Sequence, residues 1–109
     1  MPNSPFDVAF DEGWEDMLET ATLVDVRSAG EIREDGAIEN TLHIPMSADW
    51  VAEATSQLPD KSAPILVFCA VGGRSSRAAE ALRGAGYTNV KNAGGFLSIG
   101  DMRSGVRYV

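Results

Sequence analysis

Pro64-Ile65-Leu66-Val67-Phe68-Cys69-Ala70-Val71-Gly72-Gly73-Arg74-Ser75 is the stretch that decides the fold. Pro64 to Phe68 is a continuous apolar run, as expected of a strand buried on both faces. After the loop, Ser76-Arg77-Ala78-Ala79-Glu80-Ala81-Leu82-Arg83 has helical composition and stops at Gly84-Ala85-Gly86. The same alternation continues outward. Thr22-Leu23-Val24-Asp25-Val26 is β-branched and apolar and reads as a second buried strand. Ser28 to Asp35 is polar and helical in composition, ending at Gly36. Leu42-His43-Ile44 reads as a short strand stopped by Pro45, and Ser47 as the N-cap of a helix carrying Trp50, Val51, Ala54 and Leu58, stopped by Pro59. Thr88-Asn89-Val90-Lys91 reads as the last strand, with Gly94-Gly95-Phe96 opening a final short helix. Near the start, Ser4 to Phe10 reads as a short strand, and Asp11 to Leu18 begins with acids that suit a helix N-terminus. Trp14 and Trp50 fall at apolar positions of helical stretches and read as core. Parallel strands need crossover connections, so this order predicts a three-layer α/β/α fold around a mainly parallel sheet of about five strands.

A length of 109 residues fits one domain over residues 1–109, and a single cysteine excludes a disulfide framework within the chain. No apolar run approaches the roughly 20 residues that span a bilayer. The N-terminus has neither a basic segment nor an apolar signal core, so the expectation is a soluble, cytoplasmic protein in a reducing compartment, with no membrane partner. The net charge of −7 divides unevenly. Met1 to Asp60 holds fourteen acids against Arg27 and Arg33, whereas Lys61 to Val109 holds seven Lys/Arg against Glu80 and Asp101. An acidic chain is a poor nonspecific nucleic-acid binder, which needs a phosphate-neutralising surface. The basic half could hold a small anion, or the two halves could pair across the fold.

Ligand sites in such sheets lie at the carboxyl ends of strands, where helices begin. Cys69 sits there, one residue past the apolar run. Gly72 and Gly73 let the chain curl tightly, and a curled loop feeding a helix points N–H groups inward as an anion-binding concavity. Such a field favours thiolate over thiol. Arg74 adds a permanent charge whose planar fork suits an oxyanion. A lone cysteine after an apolar run is by itself an ordinary core residue; the Gly-Gly-Arg-Ser context turns the reading toward a reactive one. The expectation is an ionised sulfur ringed by main-chain amides and one guanidinium and facing solvent.

Cys69-Ala70-Val71-Gly72-Gly73-Arg74-Ser75 resembles the C-x-x-G-x-R-S active-site loop of the single-domain rhodanese-like sulfurtransferases. Leu23-Val24-Asp25-Val26-Arg27 looks like the family's first hallmark, with Glu31 where its acid stands. Gly36-Ala37-Ile38 through Leu42-His43-Ile44-Pro45 looks like its G-H-I-P-G-A-x-x-I-P segment, and Gly86-Tyr87-Thr88-Asn89-Val90 with Gly94-Gly95-Phe96 resembles its C-terminal pair. The chain departs from the pattern at Ala37, which replaces a His, and at Glu39-Asn40-Thr41, which replace Pro-Gly-Ala. The spacing from Arg27 to Gly36 is one residue longer than usual, and Leu97-Ser98-Ile99 lacks the tryptophan often found after the glycine pair. These departures bear on the outer segments and leave the loop alone.

The resemblance implies a rhodanese-like domain in which Cys69 is the nucleophile that carries sulfur as a persulfide. Ala70, Val71, Gly72, Gly73 and Arg74 would bind the donor, and Asp25 and Arg27 would form a structural frame beside the loop. It implies no metal and no organic cofactor. Its partners would be a small anionic sulfur donor such as thiosulfate and an acceptor such as cyanide, a thiol or a protein. Two alternatives stand beside it. Cysteine phosphatases use C-x5-R, whereas Arg74 closes C-x4-R, a tighter ring for one sulfur than for a phosphate. The other is a noncatalytic binding or sulfur-carrier module. His43 reads as structural, since nothing shows that it reaches the nucleophile. Arg77 and Arg83 read as a solvated helix face.

Overall fold

The computed structural model describes residues 19–102 and 105–109. Four parallel strands form its sheet: β1 (Thr22–Asp25), β2 (Thr41–His43), β3 (Ile65–Cys69) and β4 (Val90–Gly95), in spatial order β2-β1-β3-β4. Four of the five strands read from the sequence are therefore present. The fifth, Ser4 to Phe10, lies outside the described residues, as do the Asp11–Leu18 helix and Trp14. Helices α1 (Ala29–Asp35), α2 (Trp50–Gln57) and α3 (Gly73–Gly84) make the crossovers. A 3₁₀ turn (Phe96–Ser98) and α4 (Ile99–Met102) follow β4.

Every residue of β3 is buried, and its side chains alternate between two apolar clusters. Ile65, Val67 and Cys69 join Val24, Val26, Trp50, Ala54, Ala78, Ala79 and Leu82 on the face covered by α2 and α3. Leu66 and Phe68 join Leu23, Ile38, Ala93, Phe96 and Ile99 on the other. Both faces of the sheet are thus sealed, which is why the run carries no polar residue. The Trp50 indole sits in the first cluster and donates to the Ile44 carbonyl at 2.7 Å.

Local chemistry sets most element ends. Ser28 caps α1 through a reciprocal box: its hydroxyl accepts from the Glu31 N–H, and the Glu31 carboxylate accepts from the Ser28 N–H. Three readings need correction. Ser47 is not the cap of α2; its carbonyl accepts from the Trp50 N–H in a preceding turn, and Asp49 occupies the N-cap. Helix α3 begins at Gly73 instead of Ser76, so Gly73, Arg74 and Ser75 are its first turn and the loop is only Ala70–Gly72. Strand β4 starts later and ends later than Thr88–Lys91, because a bulge at Ala93 lets Gly94 and Gly95 continue pairing with Phe68 and Cys69.

The segment that departs from the family pattern is held by the end of the described chain. Ala37 exchanges backbone hydrogen bonds with Val109, and Ile38 forms an isolated antiparallel bridge with Tyr108. Across the sheet, β1 leads outward to β2, while β3 leads the opposite way to β4. The order reverses between β1 and β3, and the crevice beyond their carboxyl ends is where such folds place ligands.

Candidate active site

Cys69 closes β3, and α3 begins four residues later. Gly72 makes the turn possible, with φ of 103° in the left-handed region that a side chain would strain. The turn brings the Gly72 N–H to 2.9 Å from the Cys69 Sγ and the Ser75 hydroxyl to 3.4 Å. Burial opposes ionisation more than any other single influence. The Ser75 hydroxyl and the N–H groups of Ser75, Gly72 and Val71 together outweigh it and hold the thiol below its ordinary value. The main donors therefore come from the loop tip and the first turn of the helix.

One expectation fails outright. The sulfur does not face solvent: Cys69 has no exposed surface. It is covered from the loop side, while Val71 at the loop tip is 76% exposed. The Arg74 fork differs as well. Both of its terminal nitrogens are engaged by Glu31, at 2.6 Å and 2.8 Å, so a carboxylate already pairs with the fork. Its hydrogen bonds to Glu31 are the main support, and the charge and hydrogen-bonding of the Cys69 sulfur add a smaller one; together they outweigh burial and raise its pKa. With Glu39–Arg107, this pair joins the acidic and basic halves of the chain, so part of the charge asymmetry is paired at the surface.

The Arg74 hydrogen bonds, then that from the Ser28 N–H, lower the Glu31 carboxyl from 4.5 to about 2. The unfolded chain takes up this proton near pH 4.5 and the native chain only near pH 2. The pair's contribution is thus complete above pH 4.5 and is lost as pH falls through 2. Because both side chains are partly exposed, it is about 0.5–1 kcal/mol. Glu31→Gln keeps an acceptor for the Ser28 cap. Urea unfolding of this variant should show that much less acid dependence between pH 5 and pH 2 than the parent. Equal slopes would mean that the pair adds nothing.

Asp25 and Arg27 lie at the end of β1 and pair with each other, both almost wholly buried. The Arg27 Nε and Nη2 meet the two carboxylate oxygens at 2.8–3.1 Å, and Nη2 also donates to the Gly36 carbonyl at 2.8 Å. The guanidinium stacks 3.9 Å above the centre of the Phe96 ring. Arg27 lines a cleft of about 440 Å³ with Asp35, Ala70, Gly95, Phe96, Leu97 and Ser98. The cleft meets the loop at Ala70, and the sulfur is not part of its wall. His43 Nε2 lies 2.7 Å from the Arg27 carbonyl. A carbonyl only accepts, so that nitrogen carries hydrogen and is committed to the β1 end. Arg77 is exposed, and Arg83 donates to the Val90 carbonyl at 2.9 Å.

Two residues of β4 contribute to the site: Gly95, read from the sequence only as part of a C-terminal motif, and Asn92, which the reading did not single out. A Cβ on Gly95 would lie 2.7 Å from the Ala70 carbonyl oxygen, so only glycine allows the strand this close to the loop. Asn92, fully buried, donates to the Gly72 carbonyl at 3.1 Å and accepts from the Ser75 hydroxyl at 2.6 Å. Its signal was an amide two residues after Val90, on the same buried strand face, where strands seldom place asparagine.

A strand-end thiol under the first amides of a helix, at the switch point of a parallel sheet, defines the class of cysteine-loop α/β proteins. A sequence model described as "Rhodanese-like domain" matches residues 11–100, and the chain belongs to that family. It is 34% identical over 76 residues to the thiosulfate sulfurtransferase PspE of Escherichia coli (strain K12), covering 70% of this chain and 71% of the relative. Among solved structures, the Rhodanese_3 like domain of the Alr3790 protein from Anabaena sp. superposes with a TM-score of 0.60 at 30% identity, covering 74% of this chain and 90% of that one. A rhodanese from E. coli solved with anions also gives 0.60, at 29% identity, covering 71% and 88%. Among the described residues, no helix is long and apolar enough to cross a membrane.

Proposed function

We propose that the protein is a sulfurtransferase that moves sulfane sulfur from an anionic donor such as thiosulfate to a nucleophilic acceptor, through a persulfide on Cys69. The observation that carries this reading is the Cys69 sulfur held by the Gly72 N–H and the Ser75 hydroxyl at the start of α3. These donors favour the thiolate, which is the attacking species. In the first half-reaction the thiolate attacks the outer sulfur of thiosulfate. A bond forms between Sγ and that sulfur, the sulfur–sulfur bond of thiosulfate breaks, and its electron pair leaves with sulfite. In the second, cyanide or a thiolate takes the terminal sulfur and restores the Cys69 thiolate. With one cysteine in the chain, no internal thiol resolves the persulfide. Each step conserves charge and calls for no metal or organic cofactor. A lone free thiol suits a reducing, cytoplasmic setting.

Because Cys69 is covered, a donor reaches it only when Ala70–Gly72 shifts. Ala70 and Val71 are exposed, and the adjoining cleft gives a donor room to approach. The covered sulfur and the Glu31-paired Arg74 also favour a second reading, a rhodanese-like module that binds or carries without turnover. Mass spectrometry of the whole protein after thiosulfate separates them. One added sulfur on Cys69, removed by cyanide as thiocyanate, is the expected result. An unchanged mass would remove the transferase reading and leave the module; release of phosphate from an aryl phosphate would point to a phosphatase instead.

A further inference from the structure

We propose that Asn92 is a positioning residue that sets how readily Cys69 ionises, by controlling where the Ser75 hydroxyl sends its one proton. The proposal rests on the sulfurtransferase reading only for its catalytic consequence. The orientation of the Asn92 amide follows from its partners. The Gly94 N–H donates to Oδ1 at 3.0 Å, and Nδ2 donates to the Gly72 carbonyl at 3.1 Å. Oδ1 can therefore only accept, and the Ser75 hydroxyl 2.6 Å away must be its donor. The other groups that could take this proton are farther off: the Gly72 carbonyl at 3.2 Å, which already accepts from Ser76 and Asn92, and the Cys69 Sγ at 3.4 Å.

While Cys69 is a thiol, the arrangement is satisfied. Ser75 gives its proton to Asn92, and the S–H can point at the Ser75 oxygen. Ionisation changes this. The S–H proton leaves to solvent, the sulfur becomes an acceptor, and a Ser75 lone pair would face the new negative charge. The hydroxyl then turns its own proton from Asn92 to the sulfur, with no bond made or broken, while Oδ1 keeps the Gly94 N–H. The hold of Asn92 on that proton is therefore part of the cost of forming the thiolate. Arg74 is the charged side chain that faces the sulfur, and every variant below keeps it; Asn92 acts on the sulfur through Ser75.

The test is a thiolate titration by ultraviolet absorbance on the full chain, whose single cysteine makes the signal unambiguous. Asn92→Leu removes the acceptor, so Ser75 is free to serve the sulfur. The Cys69 pKa should move down by about half a unit, a roughly threefold larger thiolate fraction below both values. Asn92→Val, whose β-branched side chain suits a strand and carries no acceptor, should move it the same way and serves if the leucine variant does not fold. In a Ser75→Ala background, where the pKa should already be higher, neither change at position 92 should shift it. A purely structural Asn92 would do the opposite: loosening Gly72 withdraws an N–H from the sulfur and raises the pKa. An upward or absent shift in the single variants, or a downward shift surviving in Ser75→Ala, would overturn the proposal. Parent protein that gains no sulfur from thiosulfate would defeat the sulfurtransferase reading and leave this titration result standing.

Discussion

Cys69→Ser should abolish sulfur transfer, lowering turnover with thiosulfate and cyanide by at least about a thousandfold. A serine hydroxyl stays protonated near neutral pH, and no change of field from a few N–H donors brings it to an alkoxide. It also cannot form the sulfur–sulfur bond on which the cycle depends. The fold should survive, because the new hydroxyl is nearly the size of the thiol and inherits its partners. The Gly72 N–H can donate to it, and the Ser75 oxygen can accept from it. Placing an alcohol among Val67, Ala78 and Leu82 should cost about 1–2 kcal/mol, well short of unfolding the domain. Steady-state thiocyanate formation and urea unfolding on the same preparation provide the check. Turnover retained in this variant would leave no thiol in the chain to account for it, and the covalent mechanism would have to be abandoned.

The second large effect is on stability. Asp25→Ala leaves the Arg27 guanidinium buried without its counter-charge, and such a break costs about 3–5 kcal/mol. Arg27 would keep the Gly36 carbonyl and the Phe96 ring, neither of which neutralises it. For a chain of this size the loss should lower Tm by more than about 10 °C. Much of it comes from stranding a charge, so the double variant Asp25→Leu with Arg27→Met should recover a large part. Thermal unfolding followed by circular dichroism tests both. A single variant within 1 kcal/mol of the parent would show that water or a neighbouring group reaches the guanidinium.

How much of this was legible in the sequence depended on how locally each feature is determined. Strand β3 was legible because burial on both faces leaves only apolar residues from Ile65 to Phe68. Helix α1 was legible because Ser28, Glu31 and Gly36 fix its ends within nine residues. The position of Cys69 at the strand-to-helix turn follows from the same local logic. The end of β4 did not, since Gly94 and Gly95 read as the opening of a short helix, whereas a bulge at Ala93 carries them along Phe68 and Cys69. The state of Arg74 was hidden too. Its partner is forty-three positions away, and no local spacing places a carboxylate against that fork. Whether Sγ faces water is a question of how three loop residues close over it, and composition holds no trace of that closure.

That closure bears on the lifetime of the reagent as much as on its use. A thiolate standing open would be consumed by peroxide or stray electrophiles, climbing toward sulfinic and sulfonic acids that thiols do not reverse. With no exposed surface, the Cys69 sulfur of the proposed cycle would be withheld from such encounters between turnovers.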